Sequence, residues 1–397
     1  MLINPRLENI GDYPFDRLRA LIGGIKPPTN LEPISLSLGE PQHNPPDFIK
    51  EIINRESIGW GKYPPVKGTS NIRYSIANWL TRRYQLPEGM IEPETMIIPV
   101  SGTREALFMI ALAAIPEKKN GTKPVVLMPN PFYQVYLGAT IMAGAKPVLV
   151  PTNRENGFLP DYTSLPKATL DSTALAYFCS PSNPQGAIAP VEMICDLVQL
   201  ARAHDFLLVS DECYSELYYG SPPAGAAEAC NFLDGTLQNV VIMNSLSKRS
   251  NVPGLRSGFV SGPATLIERF ARLRDYGGAP APLPLLAAAS ALWLDETHVE
   301  KNRTLYEKKY KTAAKIIGER YGYYTPDGGF YLWLEVGDGE EAALTLWTKA
   351  GIRVIPGEYL AQNYNGYHPG KGYIRLALVN DNNTTAEALK RLCAVLN

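Results

Sequence analysis

Short apolar runs separated by turn residues recur along the chain. Residues 96–100, 125–128, 174–179, 206–209, 240–243 and 259–260 are each continuously apolar or nearly so, a pattern that predicts strands buried on both faces. Elsewhere the apolar spacing changes to three and four. Residues 15–23, 106–114, 190–204, 264–276 and 385–396 carry this helical period. A longer helical pattern runs from 285 into the 320s and is expected to break near Asp295-Glu296. Strands alternate with helices from about 96 to 280, which predicts an α/β fold with a mostly parallel sheet and helices on both faces. The C-terminal third has fewer strands, at 329–336, 352–355 and 372–378. We expect it to join the N-terminal segment, with a short strand at 34–38, in a smaller α/β domain. The predicted division is 46–284 for the large domain, and 1–45 with 285–397 for the small one.

Composition narrows the function. The 397 residues carry a net charge of −1, so there is no electrostatic reason to expect nucleic acid or a membrane as partner. No apolar run approaches bilayer length. The N-terminus lacks a basic start followed by an apolar core, so no signal peptide is expected. The five cysteines and four histidines are widely scattered and form neither a disulfide framework nor a metal site. A reducing cytoplasm is the expected compartment. Neither a P-loop nor a Gly-x-Gly-x-x-Gly string is present.

Several predicted strands end in polar clusters, where ligands bind in open α/β sheets. The richest is residues 244–258, NSLSKRSNVPGLRSG. Ser245 and Ser247 precede Lys248, and Arg256 follows eight residues later. Hydroxyls and a guanidinium make an anion seat beside an amine. A phosphorylated aldehyde needs this pair, because lysine can form a Schiff base while arginine and hydroxyls hold the phosphate. A lone lysine is more often a solvated surface group. After the predicted strand 96–100, Ser101-Gly102-Thr103 opens a helix. Gly102 and Thr103 read as a helix cap in isolation and as phosphate donors beside the lysine segment. Asp211 closes the strand at 206–209. It is either an N-cap or a carboxylate needing a cationic partner.

Ser-x-x-Lys with an arginine eight residues on resembles the pyridoxal-phosphate lysine segment of fold-type I aminotransferases. The strings SLSKRSNVPGLRSGF, YPFDRLRAL, PNPFYQVY and SDECYSE resemble the N-succinyldiaminopimelate aminotransferase branch. The resemblance covers nearly the whole chain. It implies a central sheet of the seven-stranded type and pyridoxal 5′-phosphate as cofactor. It also implies a role for each matched residue. Lys248 holds the cofactor and moves the proton. Asp211 pairs with the pyridine nitrogen, and Tyr214 and Asn183 approach the phenolic oxygen. Tyr133, with Phe132 as competitor, stacks on the ring. Gly39, Asn183 and Arg375 serve the substrate, Arg375 as a bidentate clamp on its carboxylate. The Asn183-Pro184 bond is expected to be cis. Tyr63, five residues before Gly68, would reach the cofactor phosphate of a second subunit, which makes a homodimer with shared sites the expected assembly.

The implied reaction is transamination between amino acids and keto acids. For that branch it interconverts N-succinyl-LL-2,6-diaminopimelate and 2-oxoglutarate with N-succinyl-2-amino-6-ketopimelate and glutamate, in lysine and diaminopimelate biosynthesis. Lys62, Lys67 and Arg249 are the candidates for the distal acid of the substrate. Aspartate, aromatic or kynurenine aminotransferases and a fold-type I cystathionine β-lyase share the same cofactor residues. A non-enzymatic regulator on this fold is the other rival, and no basic DNA-binding segment is appended here.

Overall fold

The structure, a computed structural model, describes residues 2–396. Its strands are β1 (Ile34–Ser35), β2 (Ile97–Val100), β3 (Val125–Asn130), β4 (Lys146–Pro151), β5 (Thr173–Cys179), β6 (Leu207–Asp211), β7 (Val240–Ser245), β8 (Gly258–Ser261), β9 (Tyr331–Glu335), β10 (Ile352–Arg353), β11 (Ile355–Pro356) and β12 (Tyr373–Ala377). Seven form one sheet in the order β2-β8-β7-β6-β5-β3-β4. Only β8 runs against its neighbours. Every residue of β2, β5, β6, β7 and β8 is buried, which explains why their sequences are continuously apolar rather than alternating. Separate apolar clusters cover the two faces.

The register places the chemistry. Cys179 is opposite Asp211, Asp211 is opposite Met243, and Ser245 is opposite Gly258. The polar residues that end β5, β6 and β7 therefore share one edge of the sheet. A second, antiparallel sheet has the order β11-β12-β9, with Arg375 between Ile355 and Trp333. β1 pairs in parallel with β10, which ties the N-terminal segment to the C-terminal third.

The structure adds to the sequence reading at four places. β4 was not predicted. Its sequence, Lys-Pro-Val-Leu-Val-Pro, has only three apolar non-proline residues, and proline is tolerated because β4 is an edge strand. The strand at 34–38 shrinks to two residues, because Ser37 and Gly39 turn their carbonyls to side chains instead of a neighbouring strand. The lysine segment contains a helical turn. Ser245 caps a short helix, Leu246–Arg249, through a bond from the Ser247 amide. The expected boundary at 284/285 falls at the start of helix Leu283–Leu294. Leu286, Ala288, Ala289, Leu292 and Trp293 of that helix pack with Ile72, Trp79 and Leu80 in the core of the large sheet. We therefore propose that the division falls one helix later, before Thr297–Ile317, whose Tyr306, Tyr310 and Ala313 join the other core. The break near Asp295-Glu296 lies at that junction.

Candidate active site

A cavity of about 500 Å³ opens at the shared sheet edge, a size ordinary for a small-molecule site. Lys248 lines it from the first turn after β7. Its Nζ donates to the carbonyl of Gly39 and lies 5.3 Å from the centre of the Phe330 ring. Among the described residues, no carboxylate forms an ion pair with it. Burial, with Arg375 adding to it against the thiol of Cys213, pushes its pKa down to about 8. An amine so placed is available in its neutral, nucleophilic form.

Donors for an anion converge nearby. Thr103, Ser245, Ser247 and Arg256 line the cavity. Gly102 caps helix Thr103–Ala114 at φ +92°, and a side chain there would strike the Arg256 guanidinium. Arg256 is itself anchored, donating to the carbonyls of Ser101 at 2.9 Å and Pro253 at 2.8 Å. The Ser245 hydroxyl is engaged with the Ser257 carbonyl at 3.0 Å and with Ser247 at 2.9 Å.

At the end of β6, Asp211 is buried. It accepts from the Tyr136 hydroxyl at 2.6 Å and the Cys213 amide at 3.3 Å. Burial raises its pKa, and the Tyr136 bond opposes the rise. Tyr214 is buried, and its hydroxyl is 3.1 Å from that of Tyr331. Burial, then the neighbouring Tyr331, pushes the Tyr214 pKa up. Asn183, joined to Pro184 by a cis bond as expected, accepts from Arg375 at 3.1 Å. Arg375 also donates to the Ser37 carbonyl at 2.9 Å, and its guanidinium lies 4.2 Å from the centre of the Tyr331 ring. Its Nε is buried without a partner.

Of the predicted site residues, Lys248, Thr103, Tyr133, Asn183, Asp211, Tyr214, Ser245, Ser247, Arg256, Gly39 and Arg375 meet at this cavity, and Gly102 backs it. Tyr63 does not; it is fully exposed on the surface. Both aromatics of the Phe132-Tyr133 pair line the cavity. Phe132 is in the core, while the Tyr133 hydroxyl accepts from Arg104 Nε at 2.9 Å. Arg249, a candidate for the distal acid, is wrongly placed for it. It is fully buried, donates to the Leu292 carbonyl at 2.7 Å and to Glu296 at 2.8 Å, and packs against Trp79 and Trp293. Lys62 and Lys67 are exposed and outside the cavity lining.

Sequence reasoning missed Tyr136, Arg104, Glu40 and Tyr331, all of which line the cavity. Tyr136 had a readable signal, since it follows Tyr133 by three residues and so shares its helical face. Arg104 sits directly after Thr103 at the same helix start. Nothing local marks Tyr331, whose position depends on a strand of the second sheet.

The residues fit pyridoxal phosphate. The buried amine lacks a carboxylate partner, hydroxyl and guanidinium donors gather beside it, and a buried carboxylate has only two hydrogen bonds. Fold and site together define a pyridoxal-phosphate-dependent enzyme of fold type I. The chain belongs to the aminotransferase class I and II family, whose model matches residues 32–395. It is 30% identical to an LL-diaminopimelate aminotransferase of Desulforudis audaxviator, over 98% of this chain and 96% of that one. An aspartate aminotransferase of Pyrococcus abyssi is 29% identical over 100% and 98%. Among solved structures, an aminotransferase of Neisseria meningitidis Z2491 superposes with a TM-score of 0.93 at 37% identity, with both chains fully covered. The aminotransferase AspB of Helicobacter pylori gives 0.88 at 35% identity, over 98% and 99%. The protein is thus a pyridoxal-phosphate-dependent aminotransferase acting on amino acid and keto acid substrates. Among the described residues, no helix is long and apolar enough to cross a membrane, and no cluster of three or more His, Cys, Asp or Glu side chains could hold a metal ion.

Proposed function

We propose that the substrate is a diaminopimelate-type amino acid, with 2-oxoglutarate and glutamate as the exchanging pair. The observation that carries this reading is a pair of opposite charges lining the same cavity as Arg375. Glu40 and Arg104 both line it, and only the Nε of Arg104 is engaged, with Tyr133. A distal ammonium and carboxylate would find a partner each. Several of the relatives are named LL-diaminopimelate aminotransferases, which supports the free diamine. The N-succinyl form expected from the sequence strings is the second reading. It would offer Glu40 an amide in place of an ammonium.

The bound cofactor supplies an electron sink that stabilises negative charge at the substrate α-carbon. The residues do the rest. Arg375 takes the α-carboxylate, exchanging its bond to Ser37 for a bidentate one. Lys248 would hold the cofactor through its aldehyde, and as a neutral amine it is the group to take the proton from the substrate α-carbon. Asp211 would pair with the cofactor's ring nitrogen and favour its protonated form, and Tyr136 holds Asp211 in place. Tyr13, Pro14 and Phe15 also line the cavity and restrict water. We further propose that Tyr63 completes the site of a second copy. Its exposure, together with that of Ile58, Trp60 and Tyr276, supports a homodimer.

The test is the visible spectrum of the purified enzyme during substrate addition. LL-diaminopimelate should bleach the yellow band, and 2-oxoglutarate should restore it. Bleaching by N-succinyl-LL-diaminopimelate alone would favour the second reading. A band that only aspartate or an aromatic amino acid bleaches would refute both. Release of pyruvate from cystathionine would identify the lyase.

A further inference from the structure

The segment 36–43 lines the cavity through Leu38, Gly39 and Glu40, and its carbonyls hold both charged groups of the chemistry. Ser37 accepts from Arg375, and Gly39 accepts from Lys248. Each bond is lost when a ligand takes Arg375 or Lys248. What then keeps the segment in place lies at its far end, in a buried polar group that the reaction does not use.

Asn302, on helix Thr297–Ile317, is buried. Its Nδ2 donates to the main-chain carbonyl of Lys248 at 3.3 Å. A carbonyl only accepts, so the amide orientation is determined and Oδ1 faces the other way. There it accepts from Asn251 at 2.9 Å and from His43 Nδ1 at 2.9 Å. His43 therefore carries its proton on Nδ1. Its Nε2 accepts from Lys309 Nζ at 2.7 Å, and Lys309 also donates to the Leu378 carbonyl at 2.9 Å. Lys309 is 1% exposed. The bonds close a circuit: Lys248 side chain to Gly39, along the segment to His43, then through Asn302 back to the Lys248 main chain. Gln42, next to His43, donates its amide to the carbonyl of Val379, the residue after Leu378.

We propose that His43, Asn302 and Lys309 form an anchor that positions the 36–43 segment and the main chain of Lys248 as one unit. Ligands can then displace the two bridging bonds without releasing either part. These are positioning residues, since none lines the cavity. The involvement of Lys248 rests on the aminotransferase reading; the anchoring of the segment does not.

The experiment compares His43→Phe, Asn302→Leu and Asn302→Asp. Phenylalanine keeps the packing of His43 on Tyr306, whose ring centre is 4.8 Å away. Aspartate keeps the acceptor for His43 but cannot donate to Lys248. Hydrogen exchange at the Gln42 amide, read on the cofactor-free protein, should speed up about five- to tenfold in His43→Phe and Asn302→Leu. It should stay near wild type in Asn302→Asp. In the loaded enzyme, His43→Phe should raise the amino-acid KM about fivefold and leave kcat within about twofold. A mere loss of folded protein would instead lower kcat at constant KM. Should Asn302→Leu fail to fold, His43→Phe decides. Wild-type exchange at Gln42 in folded His43→Phe overturns the anchor. Faster exchange with unchanged KM overturns its link to ligand binding.

Discussion

Tyr136→Phe isolates the support beneath Asp211. The substitution removes one oxygen and retains the ring, which stacks on Tyr177 with centres 4.4 Å apart and planes 9° apart. The lost bond runs at 2.6 Å from a buried phenol to a buried carboxylate. Hydrogen bonds to charged groups contribute about 1.5–3 kcal/mol, equivalent to about 1–2 pKa units. The remaining partner is the Cys213 amide at 3.3 Å. Burial already raises the Asp211 pKa above its ordinary value, and the substitution should raise it further. A carboxyl whose folded pKa exceeds its unfolded value gains a proton on folding. Its contribution to stability therefore falls as pH rises across the window between the two values. The substitution widens that window upward. The stability gap between wild type and Tyr136→Phe should thus grow by about 1 kcal/mol or more from about pH 4.5 to about pH 7.5. Urea unfolding of the cofactor-free protein at a series of pH values measures it, with an unchanged m value confirming that the unfolding reaction is the same. A gap that stays flat across the range would refute the reasoning, because Asp211 would then not be an anion held by Tyr136. In the loaded enzyme, the weaker carboxylate should lower cofactor affinity in the same variant.

Two further outcomes follow from the site. Arg375→Lys should keep the fold but reduce kcat/KM about a hundredfold, because an ammonium reproduces neither the bidentate clamp nor the stacking on Tyr331; steady-state kinetics within about twofold of wild type would remove Arg375 from the carboxylate role. Lys248 should bind added pyridoxal phosphate at a rate that rises about tenfold per pH unit and levels off near pH 8, as burial lowers the ammonium's stability and the neutral amine becomes dominant. Stopped-flow absorbance checks this, and a rate still climbing towards pH 10 would show an ordinary lysine.

The chemistry-bearing residues were largely legible because each one follows a buried strand within a short stretch of sequence. An apolar run predicts the strand, and the polar residues immediately after it land on the sheet edge whatever the rest of the fold does. Lys248, Asp211, Asn183 and Thr103 were readable in this way. Arg249 was not, although it is next to Lys248. On a helical turn, adjacent residues point in different directions, and Trp79, Trp293 and Glu296 come from distant segments to enclose it.

By itself, the sequence determined the alternation of strands and helices, the burial of the central strands, the set of groups at their ends and the cofactor those groups suit. These depend on local periodicity and on neighbours along the chain. Tertiary structure alone decided which groups touch. It brought Tyr136 against Asp211, set Tyr331 between Tyr214 and Arg375, gathered Glu40 and Arg104 into the lining of one cavity, and joined His43 to Asn302 across 259 residues. No periodicity encodes such pairs, because the energy that selects them is gained only when separate elements pack and exclude water from the polar groups between them.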